Sequence, residues 1–69
     1  MQSGKYKHYK GKYYEVFGVA RHSETLEELV VYCALYDSKE SSLWVRPKKM
    51  FLESVVVDGK KVPRFEFIK

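Results

Sequence analysis

The stretch Leu29–Tyr36, LVVYCALY, decides the fold, because it can form either a strand or a helix. The TLEE segment just before it has the form of a helix capping box. Apolar residues then recur at helical spacing: Leu26, Leu29, Val30 and Cys33. Against this, Val30, Val31 and Tyr32 lose rotamer freedom in a helix and suit a pleated surface. We therefore predict a strand over Leu29–Tyr36 and keep the helix as the alternative.

The residues before this stretch also favour strands. Tyr13–His22, YYEVFGVARH, is rich in β-branched and aromatic residues and is interrupted by Gly18, which predicts a bulge or a sharp bend. Ser23–Glu28 is a polar connection. Further upstream, Lys5–Tyr9 reads KYKHY, which interleaves tyrosines with lysine and histidine, and Lys10–Gly11 predicts a turn.

The residues after the central stretch predict a loop, a short strand and a helical turn. Asp37–Ser42, DSKESS, is a polar loop. Leu43–Arg46 is a short strand that Pro47 ends, and Pro47–Leu52 can form one helical turn with proline at its first position.

The last third of the chain predicts a hairpin. Glu53–Val57 is a strand, Asp58–Gly59 is a strong hairpin signal, and Lys60–Phe67 returns, with Pro63 at an edge or bulged position. Short strands separated by close turns are typical of small barrels. We predict an all-β fold over residues 1–69 as one domain, a small SH3-like barrel of five or six short antiparallel strands with one helical turn after Pro47.

Composition excludes several classes of protein. Of 69 residues, 45% are hydrophobic and 16% aromatic, too many for a disordered chain. No apolar run approaches the roughly 18 residues of a membrane span. The single cysteine, Cys33, cannot form an intramolecular disulfide and lies in an apolar run. Together with an N-terminus that lacks a secretory signal pattern, this predicts a cytoplasmic protein.

Three motifs resemble a known family. They are YKHYKG at Tyr6–Gly11, GVARHSET at Gly18–Thr25 and LWVRP at Leu43–Pro47. With these motifs the chain resembles, over most of its length, the bacterial domain-of-unknown-function family number sixteen fifty-three. The resemblance implies a small SH3-like barrel and no assigned chemistry.

Two of these motifs also carry the residues best suited to bind a ligand. Strand alternation places Trp44 and Arg46 on one face, where an arginine beside a tryptophan can stack or clamp a carboxylate or phosphate. Tyr32 lies on the neighbouring predicted strand. The predicted aromatic-basic face comprises Arg21, His22, Glu24, Tyr32, Trp44 and Arg46. The simpler interpretation is that Trp44 caps the core and the polar residues of the GVARHSET segment satisfy a turn.

Catalysis and metal binding have little support. In an extended segment, His22 and Ser23 point to opposite faces, so the histidine cannot activate the hydroxyl. The candidate metal ligands His8, His22 and Cys33 show no close pair. We predict no enzyme, no metal and no cofactor.

Two binding functions remain open. The first is an interaction module that binds a peptide or protein through the aromatic-basic face. The second is a nucleic-acid accessory protein, favoured by the net charge of +4 and by the N-terminal segment. Its candidate residues are Lys5, Tyr6, Lys7, Tyr9, Lys10 and Lys12. Alternation by itself explains that segment fully, with tyrosines on the core and lysines in solvent.

Overall fold

The computed structural model describes residues 1–35 and 43–68, which form seven strands and one helical turn. In chain order they are β1 (Gly4–His8), β2 (Tyr13–Arg21), β3 (Glu28–Ala34), β4 (Trp44–Pro47), α1 (Lys48–Phe51), β5 (Ser54–Val57), β6 (Lys60–Pro63) and β7 (Phe65–Ile68). The all-β class is confirmed, and the central stretch is a strand as far as Ala34. The predicted loop Asp37–Ser42 and the end of the predicted strand at Tyr36 lie outside the described residues.

Five strands form one antiparallel sheet in the order β4-β3-β2-β1-β7. A flat sheet would hold its outer strands about 19 Å apart, at four strand spacings. Instead, the guanidinium carbon of Arg46 on β4 lies 5.9 Å from the ring centroid of Phe65 on β7. The sheet is therefore strongly curled. The predicted barrel is wrong in one respect, since no ladder among the described residues joins β4 to β7 and closes it.

A bulge in β2 contributes to this curl. Val16 pairs with Tyr32, but the next pair joins Gly18 to Val31, so Phe17 is the extra residue on its strand. A bulge bends its strand and increases the local twist. The bulge predicted from Gly18 is confirmed. Because Phe17 has no partner on β3, Val16 and Val19 can both lie on the face that carries Val30 and Tyr32.

The core fills the concave side of the curled sheet. In the described part of the chain, six of its side chains are buried: Tyr6, Val16, Val30, Tyr32, Phe51 and Phe65. Phe51, from α1, lies in the middle: its ring stacks on Phe65 with centroids 4.0 Å apart and meets Tyr6 and Tyr32 edge-on. The helical turn therefore positions one aromatic side chain at the centre of the core, against the concave side of the sheet.

The predicted helical turn is confirmed, with one change. Pro47 is the N-cap residue (φ −52°, ψ 135°) rather than the first helical residue. Its side chain cannot cap the turn by hydrogen bonding. At the other end, the Leu52 N–H donates to the carbonyl of Lys48, and the Glu53 N–H donates to the carbonyl of Met50. No helix among residues 1–35 and 43–68 is long and apolar enough to cross a membrane.

The predicted return strand Lys60–Phe67 is two strands, which raises the strand number from the predicted five or six to seven. β6 pairs with β5 in a separate two-stranded sheet, whereas β7 joins β1 in the large sheet. Arg64 is the bend between them. Its backbone N–H donates to the carbonyl of Glu53, and its carbonyl accepts from the N–H of Tyr9. These bonds redirect the chain from one sheet to the other.

Candidate ligand-binding site

A cavity of about 80 Å³ opens on the concave side of the large sheet. All five strands of that sheet contribute to its wall. The lining residues are His8, Tyr14, Tyr32, Ala34, Trp44, Arg46 and Phe65. The strand register explains this grouping, because Trp44 is opposite Tyr32, Ala34 is opposite Tyr14, and His8 is opposite Phe65. The curl of the sheet brings these three cross-strand pairs around one space.

Arg46 supplies the positive charge of the cavity. It is half-buried, its Nε–H donates to the Tyr32 hydroxyl at 3.4 Å, and its guanidinium lies over the Phe65 ring. The ion pairs of the described residues join Lys48 to Glu28 and Arg64 to Glu53, and neither includes Arg46. The described residues that line the cavity include no acidic side chain. The cavity therefore suits an anion.

Trp44 forms the mouth of the cavity. Its side chain is 54% exposed and lies across the strand pair from Tyr32, which is buried. Strand alternation predicts that Trp44 and Arg46 share a face, and both residues line this cavity. The tryptophan ring therefore offers a ligand an apolar contact beside the cationic group.

His8 lines the cavity, although its sequence context indicates only a candidate metal ligand or one residue of the alternating N-terminal segment. Its ring packs edge-on against Phe65, with centroids 4.9 Å apart, and against Tyr14. Its Nδ1 accepts the backbone N–H of Lys10 at 3.1 Å, so in the neutral ring the proton is on Nε2. Burial lowers the pKa of His8, and the positive charges of Arg64, Lys10 and Arg46 lower it further. A neutral imidazole N–H donor thus accompanies the Arg46 guanidinium.

Three predicted site residues lie elsewhere, in or beside the β2–β3 turn. Arg21 pairs with Glu28 at the end of the hairpin, and neither Arg21, His22 nor Glu24 lines the cavity. The Nδ1 of His22 accepts the backbone N–H groups of Glu24 and Thr25, at 3.1 and 3.3 Å. The structure thus does not bring these residues together with Arg46, because the hairpin extends them away from the cavity and His22 organises the turn.

The N-terminal candidates divide between the two faces of β1. Tyr6 is buried, packs against Phe51 and Phe67, and donates its hydroxyl to the carbonyl of Gln2. It is therefore unavailable to stack on a base, which corrects that part of the nucleic-acid prediction. On the opposite face, the Lys5 and Lys7 ammonium groups lie 4.7 and 5.9 Å from the centroid of the Tyr13 ring. Tyr9, Lys10 and Lys12 are exposed at the following turn, with Lys10 5.9 Å from the Tyr9 ring.

Comparison with known proteins places the chain in a family. A family model described as "Protein of unknown function (DUF1653)" matches residues 4–67. The chain belongs to the DUF1653 family. It is also similar to a crystal structure of a DUF1653 protein from Bordetella bronchiseptica, with a TM-score of 0.89 and 35% sequence identity. That match covers 99% of this chain and 87% of the other. No curated protein matches the chain.

The described part of this DUF1653 domain contains no group of three or more His, Cys, Asp or Glu side chains placed to hold a metal ion. Cys33 is a free, half-buried thiol on the face of β3 opposite Tyr32. The cavity residues that sequence reasoning missed are His8, Tyr14, Ala34 and Phe65. For His8 and Tyr14, the one sequence feature that indicates this position is the alternation within β1 and β2. It places these two residues on the same face of the sheet as Tyr6 and Val16.

Proposed function

We propose that this DUF1653 domain is a non-enzymatic interaction module that binds a carboxylate-bearing peptide segment of a protein partner. The observation that carries the proposal is Arg46, a half-buried guanidinium without an acidic partner among the described residues, in a cavity with a half-exposed tryptophan at its mouth. A charge-assisted, bidentate contact is the strongest interaction such an arginine can make. The carboxylate would meet Arg46 and the Nε2–H of His8.

The peptide would bind beside β4. This strand is the outermost of the large sheet, and none of the described residues pairs with its second edge. An extended peptide can add to such an edge through its backbone, while its side chains reach alternate pockets. Trp44 and Arg46 occupy alternate positions on β4 and face the same side. A peptide strand in this position would place an acidic side chain at Arg46 and an apolar one on the Trp44 ring.

A role without catalysis fits the turn that carries Arg21, His22, Ser23 and Glu24. The Nδ1 of His22 accepts two backbone N–H groups, which uses the lone pair that a general base would need at that atom. We place the proposed function in the cytoplasm, where the free Cys33 thiol would remain reduced.

The test is a titration with two terminally blocked peptides, Ac-Val-Glu-Val-NH2 and its glutamine counterpart, followed by the backbone and indole N–H signals of the protein in NMR spectra. The glutamate peptide should shift signals of β4, Tyr32 and the Trp44 indole. Arg46→Gln should weaken its affinity about 10- to 100-fold, the effect of losing a charge-assisted hydrogen bond.

Arg21→Gln is the matched control, because it removes an equal charge from a residue outside the cavity. It should leave the affinity unchanged. Equal binding of the two peptides, or equal losses in the two variants, would contradict the proposal and indicate non-specific attraction to positive charge.

The nucleic-acid alternative is favoured by a different surface. Lys5 and Lys7 project from the outer face of β1, and their ammonium groups lie over the Tyr13 ring, which is 38% exposed. Aromatic rings near lysines can stack bases while the lysines contact the phosphates.

A labelled oligothymidylate tests this alternative by fluorescence anisotropy. Its affinity for the protein should fall steeply between about 50 and 200 mM salt, and binding should be lost in the Lys5→Gln/Lys7→Gln double variant. Arg46→Gln should then have no more effect than any other loss of one positive charge.

A further inference from the structure

A second, larger cavity lies between the β2–β3 turn and the helical turn α1. Its volume is about 430 Å³, and it shares no lining residue with the ligand-binding cavity. The lining residues are Leu26, Glu27, Glu28, Lys48, Lys49 and Leu52. We call this the turn–helix groove. It has leucines on both sides, and Leu26 and Leu52 are 62% and 54% exposed.

Leu26 is held in a strained conformation without gaining burial. Its φ is +64°, in the left-handed region that a leucine rarely adopts. Bonds on both sides fix this conformation: the Leu26 N–H donates to the carbonyl of His22, and the His22 N–H donates to the carbonyl of Glu27. Backbone strain maintained by surrounding bonds is common at binding sites. Here it places an apolar side chain in solvent at the rim of an apolar groove.

The charges of the groove are divided between its two walls. The β2–β3 turn supplies Glu27, the first residue of β3 is Glu28, and α1 supplies Lys48 and Lys49. Glu28 and Lys48 bridge the walls within one chain, with 3.7 Å between carboxylate and ammonium. Neither of the ion pairs among the described residues includes Glu27 or Lys49. Glu27 and Lys49 therefore have no ion-pair partner among the described residues, and they lie on opposite walls of the groove.

Such a surface is complementary to itself under two-fold rotation. In a two-fold dimer, a residue that contacts a second residue of the partner is itself contacted in the same way. Rotation about an axis that runs along the groove, between its walls, places each acidic wall against the partner's basic wall. The dimer then contains two Glu27–Lys49 pairs, one from each direction. A uniformly acidic or basic partner would be repelled by one wall.

We propose that the turn–helix groove is a homodimer interface, in which Leu26 of each chain inserts into the groove of a second copy and Glu27 pairs with Lys49 across the axis. The inserted leucine would be buried, which the strained turn does not achieve within one chain. Because the ligand-binding cavity is separate, each subunit would keep its own cavity open. The interface is small, so we expect a weak dimer with a dissociation constant on the order of 100 µM.

Sedimentation velocity of the full chain, from about 10 µM to 1 mM, tests the dimer directly. The wild type should change from monomer to dimer over this range. Glu27→Lys and Lys49→Glu should each weaken dimerisation at least tenfold, because each places like charges together twice. The double variant Glu27→Lys/Lys49→Glu should restore it, because the swapped charges are again complementary. A Glu66→Lys variant, outside the groove, should behave as wild type.

Leu26→Gly separates dimerisation from folding. Glycine adopts a positive φ without strain, so the variant should melt no lower than wild type at low concentration while remaining monomeric at about 1 mM. A wild type that is monomeric throughout, a double variant that does not recover, or a Leu26→Gly variant that still dimerises would each overturn the proposal. A monomer that instead binds a different protein through this groove would likewise overturn it.

Discussion

The curled sheet with α1 and the β5–β6 hairpin are stabilised in different ways. Among residues 1–35 and 43–68, the six buried side chains come from β1, β2, β3, α1 and β7, and none comes from the hairpin. The hairpin strands are mostly exposed, with Val56 at 73%. The sheet therefore depends on contacts between distant parts of the chain. The hairpin depends on its own turn and on the bonds at its base. Of the two regions, only the hairpin is therefore determined mainly by residues that are close together in the sequence.

The largest expected effect is in the sheet. Phe51→Ala removes a fully buried ring that stacks on Phe65 and contacts two further aromatic residues. We expect a loss of about 3–5 kcal/mol in the free energy of unfolding, a large part of the stability of so small a domain. Val56→Ala is the control in the hairpin and should change stability by less than about 0.5 kcal/mol. Urea denaturation of both variants checks the contrast, and comparable losses would mean that the hairpin shares the core.

The next effect concerns the hairpin turn. Asp58 and Gly59 have φ of +51° and +78°, as a two-residue turn between twisted strands requires. A Cβ added at Gly59 or at Gly18 meets no atom within 4 Å, and of the two glycines only Gly59 has a positive φ. Gly59→Ala should therefore cost about 1–2 kcal/mol, whereas Gly18→Ala should be neutral or slightly stabilising. Thermal melting of the pair measures the difference, and a larger loss at Gly18 would contradict the assigned turn.

A smaller and more local effect is expected at the base of the hairpin. Arg64 donates to Glu53 at 2.8 Å beside the backbone bond between the same two residues. The pair is partly exposed, so Glu53→Gln should cost no more than about 1 kcal/mol. Hydrogen exchange should locate this loss: amides of β5 and β6 should exchange about two- to fivefold faster, while those of β3 should not change. Uniform acceleration in both sheets would show that they open as one unit.

The smallest expected effect is a pH dependence at His8. This residue lines both the candidate ligand-binding cavity and a third cavity, of about 420 Å³, beside Val57, Val62 and Pro63. Burial lowers the pKa of His8, so near its ordinary pKa of about 6.5 the unfolded chain binds this proton more readily than the folded one. The free energy of unfolding should therefore fall as the pH is lowered through about 6.5 towards the lower folded value. Protonation also removes the acceptor for the Lys10 N–H.

His8→Phe keeps an aromatic ring at this position and removes the titration. Urea midpoints at about pH 7.5 and 5.5 should differ less in this variant than in the wild type. An unchanged pH dependence in His8→Phe would assign the effect to other groups.

The same contrast explains how much the sequence could predict. The Asp58–Gly59 hairpin, the bulge at Gly18 and the helical turn after Pro47 follow from residues that are adjacent in the chain, and all three are present. The division of Lys60–Phe67 at Arg64 was missed, because it depends on bonds from Arg64 to Tyr9 and Glu53. Pairing of β1 with β7 is equally non-local.

The candidate site was predictable to the extent that it lies on neighbouring strands. Tyr32, Trp44 and Arg46 belong to β3 and β4, so alternation and pairing were enough to place them together. His8 and Phe65 reach the same cavity only because β7 pairs with β1 and the sheet curls. Arg21 and His22 were wrongly grouped with Arg46, since strand alternation gives the face of a residue but not its distance along the sheet.

Trp44 also determines what optical spectroscopy can report about this protein. It is the only tryptophan in the chain, and its ring is about half exposed in the folded state. Unfolding therefore changes its surroundings little, and its fluorescence should be a weak reporter of denaturation. A ligand that covers the ring at the cavity mouth would exclude water from it, shift its emission to shorter wavelength and protect it from soluble quenchers. Intrinsic fluorescence should therefore report mainly whether this one surface is covered.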